Sequence, residues 1–437
     1  MSLNLDLKVD SRTSMASFYP IRTQENSSDF DWGIISSYFL SDLYGLSFTD
    51  KKPSEIREKL ENFENRCESE FGVLLSSDDA YPYIKQIYFN GKNIAKISPK
   101  LSIYSLVDYP DNSAVEKRIV SLMRTLFCKE KIYEHNVPNL NFIEDKINQV
   151  FNDCFPTQQP NNVDVISYLP EISNIFSKDL DFLTTKPQYL LENIQLFLEL
   201  YMFIYTTQLS IVINGWKEAS APIVKECYFI LDSEKASRER VSLERGYKLV
   251  EKHLDSIFPI LALTESLQSN LENKMPLWAL VQKLTEAHVE PLKQYCYEFS
   301  TDRELPLSTK EFDNCIDILT ELQRLFKEQF AKGQTRSSAG SKVVNTIKYK
   351  ILKPFTQTRG SAGTIFVLNQ EYLLLLTNIA IGSREKLRLY EIIDEFKHRG
   401  IFFDKESQKA LVEFYERLGN VEKMSDSGDA IYVKKTI

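Results

Sequence analysis

The sequence predicts a mainly α protein: a helical body with a small α/β N-terminal portion and a C-terminal winged-helix domain. Three observations carry that expectation. Only 14 of 437 residues are glycine, against abundant Leu, Ile, Lys and Glu, which favours helix over an all-β architecture. Apolar residues recur at helical spacing through most of the chain. The closing stretch reads as two amphipathic helices followed by strand, polar turn and strand. An apolar fraction of 43%, with 27 Phe and 22 Tyr, supplies material for packed cores.

Residues 1–30 are polar and irregular. Helical periodicity begins at Trp32, with Ile34, Ile35, Tyr38, Phe39 and Leu43. Pro53 and Ser54 open a second helix carrying Ile56, Leu60 and Phe63. Residues 83–107 are strand-like: Ile84, Ile87 and Phe89 lead to Asn90-Gly91, then Ile94, Ile97, Leu101 and Ile103, which predicts a short hairpin. Helices resume over 114–128 and 140–152. The two prolines within 154–163 mark a boundary closing an N-terminal domain, 1–160.

Residues 165–330 read as a helical bundle with long segments at 187–213, 235–256, 276–300 and 308–331. Pro222 and Pro276 are placed to open helices, and Pro291 to kink or end one. Leu196 to Ile213 is apolar enough to imitate a membrane span. Glu199, Thr206, Thr207, Gln208 and Ser210 interrupt it, so a buried central helix is expected, with no membrane partner.

Between Glu328 and Glu371 there is no acidic residue. The same stretch holds Lys332, Arg336, Lys342, Lys348, Lys350, Lys353 and Arg359 among Gly and Ser. It predicts a basic, flexible segment over 331–363, with a short helix or strand near 343–352. Seven unopposed cations suit a polyanion, and Tyr349 and Phe355 suit stacking against exposed bases.

Residues 364–437 read as one small domain. Thr364–Leu368 is a candidate strand, and Gln370–Ala380 a helix closed by Gly382. Leu389, Ile392, Ile393 and Phe396 stripe a second helix that stops at Gly400. Asp404 caps a third, whose apolar face is Leu411, Phe414, Tyr415 and Leu418 and whose end is Gly419. Val421–Met424 and Ala430–Lys434 then make a hairpin around Ser425 to Asp429, with Gly428 in the turn. From Glu371 onward, 11 basic side chains meet 12 acidic ones, less basic than a helix that reads a major groove. The cations there best placed for DNA are Arg384, Lys386 and Arg388, with Lys423, Lys434 and Lys435 around the wing.

A net charge of −8 argues against a protein that coats nucleic acid over its whole surface. The six cysteines are unpaired at close spacing and the four histidines isolated, so no zinc site and no cofactor is expected; such scattered thiols fit a reducing cytoplasm. The N-terminus lacks a basic-then-apolar secretory pattern. No phosphate-cradling glycine loop and no Gly-x-Ser-x-Gly elbow occurs. Asp78-Asp79 and Asp29 with Asp31 have the chemistry for a hard cation, but their Ser-rich settings read as solvated loop. A non-enzyme is therefore expected. Two alternatives stand beside it: a divergent metal-dependent nuclease subunit, and a pure scaffold whose winged helix docks protein.

The run from Gly400 to Val433, including Ile401-Phe402-Phe403-Asp404 and the Ser425-Asp426-Ser427-Gly428-Asp429-Ala430 wing, resembles the end of the bacterial DNA phosphorothioation-dependent restriction protein G family (DptG, DndG). Chain length and the Phe/Tyr-rich helical body are similar too. The resemblance implies a subunit of an antiviral defence complex with F and H type proteins, acting on double-stranded DNA that lacks phosphorothioate marks. It implies that motor and cutting roles lie with the partners, and it assigns no catalytic residue here.

Overall fold

The computed structural model describes residues 5, 7–10, 13–21, 30–75, 80–106, 114–128, 131–134, 137–158, 166–231, 241–309, 311–331, 333–423 and 431–437. Of the expectations above, Lys332, the wing turn 424–430, and Asp29, Asp78 and Asp79 lie outside these residues, as does the Lys423 side chain. The protein is mainly helical, 66% helix against 6% strand. Its contacts divide it into two compact units: Phe30–Val163 with Leu180–Leu198, and Met1–Asp29 with Asp164–Asp179 and Glu199–Ile437.

In the first unit, α1 (Trp32–Leu43) starts at Asp31, whose carboxylate accepts from the Gly33 and Ile34 amides. Helix α2 (Pro53–Leu75) buries Ile56, Leu60, Phe63, Cys67 and Phe71. Phe63 is the centre of an aromatic core, edge-on to Phe151 at 5.2 Å and to Tyr104 at 6.2 Å. The expected hairpin over 83–107 is absent. Helix α3 (Tyr81–Ile84) runs into a π-helical turn, Lys85–Asn90, followed by 3-10 turns at Asn93–Lys96 and Lys100–Leu106. Gly91 has φ −83°, unlike the left-handed residue a two-residue hairpin needs. Asn93 instead donates its amide to the Ile87 carbonyl at 2.8 Å, closing the helical turn. Burial of Phe89, Ile94, Leu101 and Ile103 then outweighs local strand propensity. Helices α4 (Ala114–Met123) and α5 (Phe142–Cys154) complete this part, α5 opening with an Asn141–Glu144 capping box.

Helix α6 spans Pro170–Thr184 and α7 spans Pro187–Val212. By length and composition the α7 run is apolar enough to cross a membrane, but 83% of its most apolar window is buried within the protein, so it is a core helix. Its polar residues are satisfied there. Thr206 meets the Tyr19 hydroxyl at 2.8 Å, and Glu199 accepts from the Tyr372 hydroxyl.

The second unit continues with β1 (Tyr228–Phe229), α8 (Val241–Glu244), α9 (Tyr247–Ser266), α10 (Leu277–Val281), α11 (Val289–Asp302) and α12 (Cys315–Glu328). Helix α12 packs on both α9 and α11 in a helical bundle, with Phe299 stacked on Phe326 at 4.4 Å. Two prolines act differently from expectation. Pro291 is the third residue of α11, where no intrahelical donor is required, and so helps start that helix. Pro222 opens no helix; the chain beside it is extended, its Val224 amide held by Glu171 and its Lys225 amide by Gln208. Pro276 caps α10 as expected, and Pro259 sits inside α9 without ending it.

The acid-free stretch is folded rather than a linker. It forms α13 (Ser337–Thr346), a π-helical turn Ile347–Leu352, a 3-10 turn Lys353–Phe355, and a hairpin of β2 (Thr356–Arg359) with β3 (Gly363–Phe366). Val343, Ile347, Ile351, Leu352 and Phe355 are buried, and that apolar face is what fixes the segment.

The closing elements are α14 (Gln370–Ile381), β4 (Lys386–Arg388), α15 (Leu389–His398), β5 (Phe402–Phe403), α16 (Lys405–Leu418), β6 (Val421–Lys423) and β7 (Ile431–Lys434). Strand β7 lies between β4 and β6, antiparallel to both, while β5 pairs in parallel with β1. Asp404 caps α16 by accepting from the Ser407 amide, and Gly382 and Gly419 end their helices at positive φ. Leu418, expected on the buried face, is 44% exposed, as the last residue of the helix. Gly400 has φ +77°, and a Cβ there would collide with the Gln208 amide, which is pinned on both sides to the Lys225 backbone. Gly400→Ala is expected to destabilise the second unit by about 1–3 kcal/mol, combining left-handed strain with displacement of a buried amide; urea unfolding measures it.

Candidate nucleic-acid interface

Helix α13 and its π-helical turn form an amphipathic rod. Opposite the buried face stand Lys342, Tyr349 and Lys353, all exposed, with Asn345 between the first two. Their separations of seven and four residues return to one side of a helix. The π-helical turn carries an extra residue per turn, which lets Lys353 fall in line with Tyr349. Among the described residues neither the Lys342 nor the Lys353 ammonium has an ion-pair or hydrogen-bond partner.

The remaining cations of the segment are tied in. Lys348 pairs with Glu251 of α9 at 2.6 Å, and Glu251 also accepts from Tyr247. Lys350, Arg336 and Arg359 are half-buried with partners of their own. Burial and the neighbouring Arg336 charge hold the Arg303 guanidinium below its ordinary pKa. Phe355 does not present a face to a base: it is buried, stacked on Phe203 at 4.1 Å and tilted against Tyr372 at 4.5 Å.

The C-terminal cations gather on the outer face of the β4–β7–β6 sheet. Leu387, Val433 and Val421 share a row facing the core; Arg388, Tyr432 and Glu422 share the next row, and Lys386 sits opposite Lys434. Glu422 is shared by two of these cations, pairing with Lys386 at 2.8 Å and Lys434 at 3.3 Å. Hydrogen bonds from Lys386 and Lys434 hold its carboxyl below the usual range. Arg388 donates to the Tyr432 hydroxyl at 2.9 Å, which raises its pKa. Arg384 caps the end of α14 through the Ala380 and Ile381 carbonyls and pairs with Glu395, and Lys435 donates to the Gly382 carbonyl. Arg384, Lys386, Arg388, Lys434 and Lys435 are therefore each engaged within the fold, with carboxylates offsetting only part of their charge. The roles of Glu422, Tyr432 and Glu251 escaped sequence reasoning. An alternating Lys-Leu-Arg before a helix was the one available sign of β4.

Among the described residues no group of three His, Cys, Asp or Glu is placed to hold a metal ion. Burial pushes the Cys128 thiol up to about 11 and the Cys296 thiol to about 12, and raises Cys67 and Cys227 further, the opposite of an activated nucleophile. A cleft of about 580 Å³ between α9, α12 and α13 contains Arg324 and Lys327. Arg324 is bound to Glu321 and Glu328, and Lys327 to Asn214.

No protein-family model matches this chain, and no curated protein matches it.

Proposed function

We propose that this protein is a non-catalytic subunit of a cytoplasmic, phosphorothioation-dependent DNA restriction complex, acting with F and H type partners on DNA that lacks the phosphorothioate marks. The exposed face of α13 and the turns after it, where the Lys342 and Lys353 side chains, unpaired among the described residues, flank Tyr349, carries the nucleic-acid part of this reading. Two phosphate contacts and a stacking or sugar-packing ring suit duplex backbone without sequence readout. The likeness of residues 400–433 to the restriction-protein G family carries the complex-subunit part.

Residues 364–437 support a winged-helix reading through α14, β4, α15, α16, β6 and β7, with β4, β7 and β6 in one sheet, while the short β5 between α15 and α16 pairs outside that sheet with β1. The internal pairing of its sheet cations favours protein docking over DNA contact for that domain.

In the full chain, Lys342→Glu with Lys353→Glu is expected to weaken duplex binding about tenfold or more at low salt. The slope of log K against log salt should flatten by about two, one for each lost phosphate contact. Gel shift over a salt series reads both. Unchanged binding would remove α13 as the contact. Co-expression with F and H type proteins tests the assembly, and failure to co-purify at low salt would overturn it.

A further inference from the structure

Of the twelve large apolar side chains exposed among the described residues, five belong to one end of the first unit: Val73 (82%), Leu74, Tyr83, Ile87 and Phe142 (64%). The packing of α2 on α5 brings them there. Arg66 pairs with Asp153 at 3.3 Å, and Glu70 with Lys146 at 3.0 Å. Moving forward along α2 thus moves backward along α5, and Val73 and Leu74 come level with Phe142. Asn141 donates to the Tyr88 hydroxyl at 3.2 Å, bringing Ile87 beside the start of α5, with Tyr83 one turn earlier. Phe71 stacks on Tyr81, holding α3 against the same end of α2. The capping box fixes the backbone at Phe142 without using its ring.

The surroundings are negative. Glu68 and Asp145 are exposed carboxylates at this end. Three of the cations there are already paired: Lys85 with Glu64, Lys146 with Glu70, and Arg66 with Asp153 and Glu70. Clustered apolar side chains with a polar rim mark an interaction surface. A negative rim repels nucleic acid and anionic lipid, and attracts Lys and Arg.

We infer that this end of the first unit docks an amphipathic, basic helix of a partner protein. Its apolar residues, spaced i, i+3, i+4, i+7, would cover Ile87 and Phe142, and its Lys and Arg would meet the acidic rim. The inference does not depend on the nucleic-acid reading, which concerns the other unit.

The test uses the full chain and two labelled synthetic helices with the same Leu pattern, one with Lys and Arg on its polar face, the other with Glu. Fluorescence anisotropy should show the basic helix binding about tenfold or more tightly than the acidic one. Ile87→Ser with Phe142→Ser should abolish that binding while leaving circular dichroism and the duplex gel shift unchanged. Equal binding of both helices, no binding, or binding that survives the double substitution overturns the inference. So does concentration-dependent dimerisation lost in the variant, which assigns the surface to a second copy, or attachment to phosphatidylcholine vesicles, which assigns it to lipid.

Discussion

Replacing Asp179 with alanine is expected to destabilise the second unit by about 3–5 kcal/mol, because it strands a buried guanidinium. Asp179 and Arg399 are each 1% exposed. Arg399 Nε and Nη2 donate to the two Asp179 oxygens at 2.8 and 2.6 Å, a fork-on-fork pair. Its Nη1 donates to the Glu395 carbonyl and carboxylate, and the Tyr201 hydroxyl donates to Asp179. Burial alone would lower the Arg399 pKa, but the Asp179 carboxylate more than offsets it, so the arginine stays charged. Burial, reinforced by the Asp179 charge, pushes the Tyr201 phenol well above its ordinary value, so it stays a neutral donor. Removing the carboxylate leaves the arginine charged and dry. Asp179→Leu with Arg399→Met should cost less than Asp179→Ala, since replacing both ions by apolar groups removes the desolvation term as well. Urea unfolding measures both variants through the transition midpoint at unchanged slope. A cost for Asp179→Ala within about 1 kcal/mol, as for a surface pair, would mean the network does not hold these helices together.

Phe355→Ala should cost about 3–5 kcal/mol by leaving a cavity in an aromatic cluster. Phe355 stacks on Phe203, which meets Phe229 at 5.7 Å and Phe366 at 5.1 Å edge-on. Those rings come from α7, β1 and β3, so one side chain ties the acid-free segment to the helical core and to its own hairpin. Tyr349→Ala should behave in the opposite way, because Tyr349 is 69% exposed. It should leave the unfolding midpoint within about 0.5 kcal/mol of wild type. If Phe355→Ala instead weakened duplex binding without lowering stability, Phe355 would be a base-stacking residue and its packing role would fail.

The two aromatic residues show how far sequence reasoning reached. Both lie in one acid-free stretch, and composition treats them alike. Burial separates them, because Phe355 faces Phe203, more than a hundred positions earlier, and Tyr372, while Tyr349 faces outward. The same holds for the cations. Lys386 and Lys434 read as free wing charges until cross-strand register sets Glu422 beside both. The lost hairpin at Asn90-Gly91 has the same origin: a turn signal is local and weak, and a buried face of Phe89, Ile94 and Leu101 is not.

What was legible from the chain alone is what depends on neighbours within a few residues. The mainly helical class, the caps at Asp404, Gly382 and Gly419, the apolar stripe of α15 and the buried nature of α7 all rest on 3.6-residue periodicity and on single residues that satisfy helix ends. What waited for the folded chain is the assignment of charges to partners. Arg399 and Asp179 are 220 positions apart, and Lys348 and Glu251 are 97 apart. A charge's availability to DNA is set by which opposite charge the fold brings within a few ångströms, and no local pattern encodes that distance. Seven cations in an acid-free stretch thus narrow to a face with two unpaired lysines, Lys342 and Lys353, and one exposed ring, because tertiary packing had engaged the other described cations.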